Sequence, residues 1–368
     1  MLRGTGDPVG DTGARSTSAC YIDGMMKWIR RIVGGIVALL VLGITALALV
    51  ISHTSDCPPM EAAPPDAELM TAAIYRCYGS PDVLEIAEVE KPVPADNEVL
   101  VKVKAASVNP LDWHYMRGSP YLLRLSAGLG SPDDVRLGVD LAGTVEAVGS
   151  GVTQFKPGDE VFGRSNGAFA EYVIVPEDRS VVHMPDGVSF EQAAAMPIAA
   201  ITALQALRDK GELKPGQKVL INGASGGVGT YAVQIAKAMG AEVHGVCSTR
   251  NLELVRSLGA DHVWDYRNED YTESDEAYDL IVDMVGNHSL LRNRRVLTDD
   301  GTLVIVGGPK GNWLAPLKKP IGVLILSPFF DQQFKLLLAR LNKDDLNQLG
   351  EYLQSGAVRS VIDQRFTL

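Results

Sequence analysis

The sequence predicts an α/β protein: a small antiparallel β region, then a doubly wound parallel sheet, the two preceded by one N-terminal transmembrane helix. Three observations carry that expectation. The stretch INGASGGVGTYAVQIAK, residues 221–237, runs from a strand through a glycine-rich turn into a helix. Beyond it, apolar strands alternate with helices, the pattern of a parallel sheet covered on both faces. From Ala72 to Pro176 short segments alternate apolar and polar residues and are separated by turns, as half-buried antiparallel strands are.

In chain order, residues 1–24 are rich in Gly, Thr, Ser and Asp without an apolar period, and the tail 1–31 is expected to be disordered. Trp28, Arg30 and Arg31 then lead into Ile32–Ser52, 21 residues without a charge, enough to span a bilayer core as a helix. A secretory signal shares this basic-then-apolar layout, but its apolar region is shorter and no good small-residue cleavage site follows, so a retained single-pass anchor is favoured. Met25 or Met26 is an alternative start of translation. Residues 53–70, with the run EAAPPDAE, read as an extended spacer.

The β region is read from VLVKVKAASV (99–108), LAGTVEAVG (141–149), KPGDEVFG (156–163) and EYVIVP (171–176). The parallel sheet is read from strands at 219–222, 242–247, 262–264, 278–284 and 302–306, with DQQFKLLLARL as its last strand. Helices are expected over 231–239, 252–258 and 342–356, the last with Leu346, Leu349 and Leu353 on one face. PIGVLILSPFF (320–330) is too short to span a membrane and is assigned to the core, to a lipophilic pocket wall or to a contact surface.

The glycine turn fits a dinucleotide fingerprint as Ala224-x-Gly226-x-x-Gly229, with alanine at the first glycine position. Ala224, Ser225, Gly226, Gly227, Val228 and Gly229 are therefore candidate cofactor-binding residues: the small residues admit a diphosphate, and the helix start offers it unpaired N–H groups. An NAD site expects an acid about 20 residues beyond the glycines. Here the next strand ends in Cys247-Ser248-Thr249-Arg250, with no carboxylate until Glu253, so Ser248 and Arg250 are candidates for a 2′-phosphate and NADPH is the expected cofactor. Gly286, Gly307 and Gly308 follow later strands and are placed on the nicotinamide side.

The net charge of −11 carries no basic block, which argues against a nucleic-acid partner. The four cysteines (20, 57, 77 and 247) form no CxxC pair, so neither a cysteine zinc site nor a disulfide framework is expected and the thiols are taken as reduced. Lys27, Arg30 and Arg31 precede the span, while acids alone follow it up to Arg76; the positive-inside rule then puts the globule outside the cytoplasm. That side conflicts with a supply of NADPH, and sidedness stays open.

The segments SVNPLDWHYMRG, LGVDLAGTVEAVG, KPGDEVFG, GAFAEYVIVP, AAAMPIAAITALQAL and INGASGGVGTYAVQIAK occur in the order and spacing of the medium-chain dehydrogenase/reductase superfamily. From about Ala72 onward the chain resembles its zinc-free quinone oxidoreductase-like branch. The resemblance implies a GroES-like catalytic domain (71–195), a Rossmann NADP-binding domain (196–340), and a helix with a return to the first domain over 341–368. Relatives continue beyond that point, so the C-terminus is read as truncated, and a homodimer is the family expectation. Zinc-dependent relatives carry a Cys ligand in the loop of Asn109-Pro110-Leu111-Asp112 and a His-Glu pair at Val139-Asp140; neither Asn109 nor Val139 is a suitable zinc donor, so no metal is expected.

Without a Lewis acid, conjugate reduction of an enone or quinone is the easier hydride transfer, because charge spreads over an enolate or quinol. Asn109 matches the family's loop beside the nicotinamide, and His114 falls where some quinone oxidoreductases have a catalytic Tyr, with Tyr115 following. These three are the candidate catalytic residues, His114 and Tyr115 as donors to a developing oxyanion or, equally, as packed aromatics. Asp112 reads as a cap of the following helix and Asp140 as a loop-fixing residue. Thr202 matches a position near the cofactor, or else satisfies an i−4 carbonyl. Zinc-free alcohol or aldehyde oxidoreduction and a non-catalytic membrane adaptor are the rival functions.

Overall fold

Strand periodicity in the first globular region resolves into a five-stranded antiparallel sheet. The computed structural model describes residues 14–60, 63–308, 311–313 and 318–368, with side chains from Met25 onward. In chain order the elements are α1 (Ala14–Ser52), β1 (Leu69–Tyr75), β2 (Leu84–Glu90), β3 (Glu98–Ser107), α2 (Pro110–Arg117), α3 (Arg124–Ala127), β4 (Asp140–Val148), β5 (Glu160–Arg164), β6 (Tyr172–Pro176) and β7 (Val181–His183). There follow α4 (Phe190–Ala194), α5 (Pro197–Gln205), β8 (Lys218–Asn222), α6 (Gly227–Ala238), β9 (Glu242–Cys247), α7 (Leu252–Ser257), β10 (His262–Asp265), β11 (Tyr278–Asp283), α8 (Leu290–Arg294), β12 (Leu297–Ile305), α9 (Lys318–Leu326), β13 (Gln333–Leu336) and α10 (Lys343–Gln354).

The chain divides after His53 into the α1 unit and residues 54–368. Helix α1 begins at Ala14, well before the expected Ile32; no proline lies between Pro8 and Pro58, and extending a formed helix costs far less than starting one. Expected disorder at 14–31 is thus corrected, and residues 1–13 lie outside the described residues. Within α1, Met25–Ser52 is long and apolar enough to cross a membrane, with mean hydropathy 2.7, a property shared by anchors and signal sequences.

In residues 54–368, the five-stranded sheet runs β6-β3-β4-β5-β7 and the six-stranded parallel sheet β10-β9-β8-β11-β12-β13, while β1 and β2 form a separate hairpin. Inward residues of the first sheet, Val99, Val101, Leu141, Val161 and Val173, are buried together. The strand order of the parallel sheet reverses between β8 and β11, and its carboxyl ends carry Asn222, Cys247, Asp283 and Ile305. A ligand crevice belongs at that switch point. Helix α10 starts on Asn342, whose side chain accepts from Asp345 N, and buries Leu346, Leu349 and Leu353.

Two expectations fail here. Cys57 and Cys77 are disulfide-bonded, with Cα atoms 4.8 Å apart, because the spacer folds back along the end of β1. Arg76 donates to the carbonyl of Pro58, and Thr54 bridges Gly130. Residues 361–368, expected to re-enter the β domain as a strand, carry no regular element. The residues leading into them pack along α6, where Tyr231 Oη donates to Ser360 Oγ (2.7 Å) and Arg359 N to Gln234 Oε1 (2.9 Å), and Arg365 Nε donates to Glu191 Oε1 of α4 (3.2 Å).

Candidate functional site

The glycine-turn side is built from backbone. Gly223 takes φ +97° and opens the turn, while both it and Ala224 donate to Val246 O across the sheet. Gly226 caps α6 in an extended conformation, and Gly226 and Gly227 are exposed. A Cβ on Gly229 would come 2.1 Å from Gly223 O, so helix and turn meet only because that side chain is absent; a Cβ on Gly227 would meet nothing. The N–H groups of Gly227, Val228 and Gly229 lie in the first turn, where no earlier carbonyl is available to them. Sequence reading missed Gly223, although its place directly after the strand was the available signal.

Ser225 Oγ accepts from Asn251 Nδ2 (2.9 Å), which also approaches Ser248 Oγ (3.4 Å), so the turn and the end of β9 are stitched together. Arg250 is exposed and makes no hydrogen bond or ion pair with a described residue. The expectation of no carboxylate before Glu253 overlooks Asp265, which arrives from β10 and accepts from Thr249 Oγ1 (2.6 Å) and Asn268 Nδ2 (2.8 Å). These donors hold its carboxyl below the usual range, and it faces Thr249 rather than Arg250. Tyr266 N donates to Cys247 O, which sets its largely exposed ring beside the same corner.

At the ends of β11 and β12, Gly286 takes φ +75° and a Cβ there would lie 3.0 Å from Gly308 Cα. Gly307 is packed on Met284, where a Cβ would meet a carbonyl at 2.0 Å. Buried Asp283 accepts from Asn222 Nδ2 (2.9 Å), Gly286 N (2.8 Å) and Lys319 Nζ (2.5 Å). Lys319 was missed by the sequence reading; its buried ammonium beside Gly286 and Gly308 had no local sequence signal.

The other side is built from side chains. Asn109 caps α2 and is buried; its Nδ2 donates to Asp140 Oδ2 (3.0 Å) and Ser107 Oγ (3.2 Å). Asp112 accepts from Asn109 N (2.7 Å), which is the capping role expected of it. Asp140, fully buried, also accepts from Ile198 N at the start of α5 (3.1 Å), and α5 packs on α6. Burial pushes the Asp112 carboxyl up to about 6 and that of Asp140 to about 7, the hydrogen bonds opposing it. Thr202 donates to Ile198 O (2.7 Å), so its hydrogen is engaged within the helix rather than offered to a ligand.

His114 Nδ1 lies 2.6 Å from Ser119 O; a carbonyl only accepts, so this nitrogen carries the proton and Nε2 is left as the second ring position. Tyr115, Asp112, Tyr75, Ser126 and Ala127 line a cavity of about 200 Å³. His114 is not among the lining residues, so the structure separates the two donors that the sequence placed side by side. Among the described residues no three His, Cys, Asp or Glu side chains are gathered to hold a metal, and Asn109 and Val139 offer zinc an amide and a methyl surface.

The alcohol dehydrogenase GroES-like domain model matches residues 95–186, and the zinc-binding dehydrogenase model residues 227–327. The chain is 35% identical over 318 residues to the chloroplast envelope quinone oxidoreductase homolog of Arabidopsis thaliana, covering 82% of this chain and 92% of that protein. It superposes on the quinone oxidoreductase of Coxiella burnetii with TM-score 0.70 at 30% identity, covering 79% of this chain and 90% of that one. For CurK enoyl reductase the TM-score is 0.69 at 26% identity, with 81% and 91% covered. The chain belongs to the medium-chain dehydrogenase/reductase superfamily, in its quinone oxidoreductase-like branch. It is an oxidoreductase that uses a nicotinamide cofactor on a small molecule.

Proposed function

We propose that the protein reduces a quinone or an α,β-unsaturated carbonyl compound with NADPH, without zinc, from a globule tethered by α1. The carrying observation is the Asn109 amide, buried in the Ser107–Asp140 network at the loop where zinc-bearing relatives hold their metal. An amide cannot act as a Lewis acid, which favours substrates whose own conjugation spreads the developing charge. NADPH supplies the hydride when bound. Gly226 and Gly227 leave room for its diphosphate against the α6 N–H groups, and Ser248 with the exposed Arg250 would take the 2′-phosphate. Asn109 positions the nicotinamide side and Tyr115 donates to the acceptor oxygen, whereas His114, its Nδ1–H held by Ser119 O, would donate through Nε2 only as the imidazolium.

The test is absorbance at the reduced-nicotinamide band with the full chain in detergent, offering quinone, enone and alcohol panels with NADPH and NADH in parallel and a chelator arm. Chelator-insensitive oxidation of NADPH by quinones or enones is expected. Turnover confined to simple alcohols or aldehydes, or abolished by the chelator, overturns the reading.

A further inference from the structure

We propose that the loop Pro120–Gly130 is a lipid-contact surface, resting in the interfacial layer of the bilayer that α1 crosses, so that lipophilic acceptors reach the neighbouring cavity from lipid. This rests on the anchor reading of α1 given above. The uncharged run ends at Ser52, and Thr54 is already fastened to the loop. Thr54 bridges Gly130, Ser55 N donates to Gly130 O (2.9 Å), and Arg124 Nη1 donates to Thr54 Oγ1 (3.1 Å). Two Cα steps cover at most about 8 Å, and the polar layer on each side of the hydrocarbon is about 5–7 Å deep. Covalent connection therefore keeps the Thr54–Gly130 end of this loop within reach of the headgroups.

The loop is chemically suited to that place. Leu122, Leu125 and Leu129 are 46%, 59% and 54% exposed within one short segment, more apolar surface than scattered single residues would present. Tyr121 packs edge-on against Trp313 (centroids 4.9 Å apart), itself 40% exposed, and such aromatics collect at membrane interfaces. The segment is also braced. Buried Arg124 donates through Nε to Gly118 O (2.8 Å) and stacks over Tyr78 and Tyr121, so the loop is tied to the end of α2. Exposed Arg117 and Asp133 flank it, offering the surface no net charge. Behind the leucines, Ser126 and Ala127 form part of the cavity wall with Tyr115, which joins a lipid-facing rim to the candidate site.

The experiment uses the full chain in phosphatidylcholine vesicles, with Cys20→Ser and Leu125→Cys bearing an environment-sensitive fluorophore; Cys57 and Cys77 are paired and Cys247 is buried. Glu253→Cys, on the nucleotide domain, is the control position. Lipids carrying a quencher near the headgroup should quench the probe at 125 at least about threefold more than at 253. Equal quenching in protein that resists alkaline carbonate extraction overturns the contact and spares the anchor, whereas extraction overturns both. In the same vesicles, L122D/L125D/L129D should raise KM for a long-tailed quinone by about fivefold or more and leave a tail-less quinone within about twofold. Equal changes for the two quinones, or none, count against the proposal.

Discussion

The two sides of the candidate site are made of different material. Residues 223–229 are a wall of backbone, shaped by missing side chains and by bonds to the adjacent strand, whereas buried Asn109, Asp112 and Asp140, with half-buried Ser107, form a wall of polar side chains drawn from separate elements. The first is sensitive to an added atom where helix and turn meet, at Gly229, and indifferent to protons. The second tolerates small changes of shape but stores two carboxyl groups away from water, so its stability is tied to pH. A backbone wall without titratable groups thus contrasts with a proton-sensitive one.

That contrast breaks most sharply at Gly229. Gly229→Ala forces a methyl against Gly223 O, and should cost about 1–3 kcal/mol of stability and about 100-fold or more in NADPH affinity, read by thermal melts and fluorescence titration. Gly227→Ala, which meets no protein atom, should melt like the parent and lose about tenfold in affinity; equal behaviour of the two variants would show that backbone packing does not define this wall. Next in size, Arg250→Ala should raise the Kd for NADPH about tenfold or more and leave NADH unchanged, since only one of the two carries the extra phosphate. A parallel loss for both cofactors would detach this corner from cofactor choice.

The side-chain wall is tested by pH. Folded Asp140 and Asp112 titrate near 7 and 6, above the usual carboxylate range, so the fold holds extra protons between about pH 4 and 7 and loses stability as pH rises through that window. Asp140→Asn should flatten this slope, its melting temperature falling by several degrees less than the parent's between about pH 5 and 8. An unchanged slope would mean that Asp140 is ionised throughout. The smallest effect is expected at His114: His114→Gln should lower kcat about three- to tenfold with NADPH affinity unaltered. If kcat is retained, the ring serves only to hold Ser119 O.

What could be read from the sequence follows the same divide. The parallel strands, the glycine turn and the Asn342 cap are local patterns of spacing, and each falls where its residues place it. The reading went astray where partners come from afar. Asp265 reaches Thr249 from the next strand, Lys319 crosses to Asp283, and Cys57 finds Cys77 because the spacer folds back, none of which has a periodic signature. For α1 the composition of residues 14–31 argued for disorder, yet continuity with a strongly helical span prevailed. Thr202 had two readings in the sequence, and the short bond to Ile198 O favours the intrahelical one.

The Cys57–Cys77 bond has a consequence for how the molecule comes apart. It closes a ring around the proline-bearing spacer, so a single peptide cleavage anywhere from 58 to 76 leaves both halves joined through sulfur. Separating residues 77–368 from α1 by one such cut therefore requires a reductant as well as a protease. Oxidised material would yield a nicked but undivided band, and added thiol would separate the two pieces.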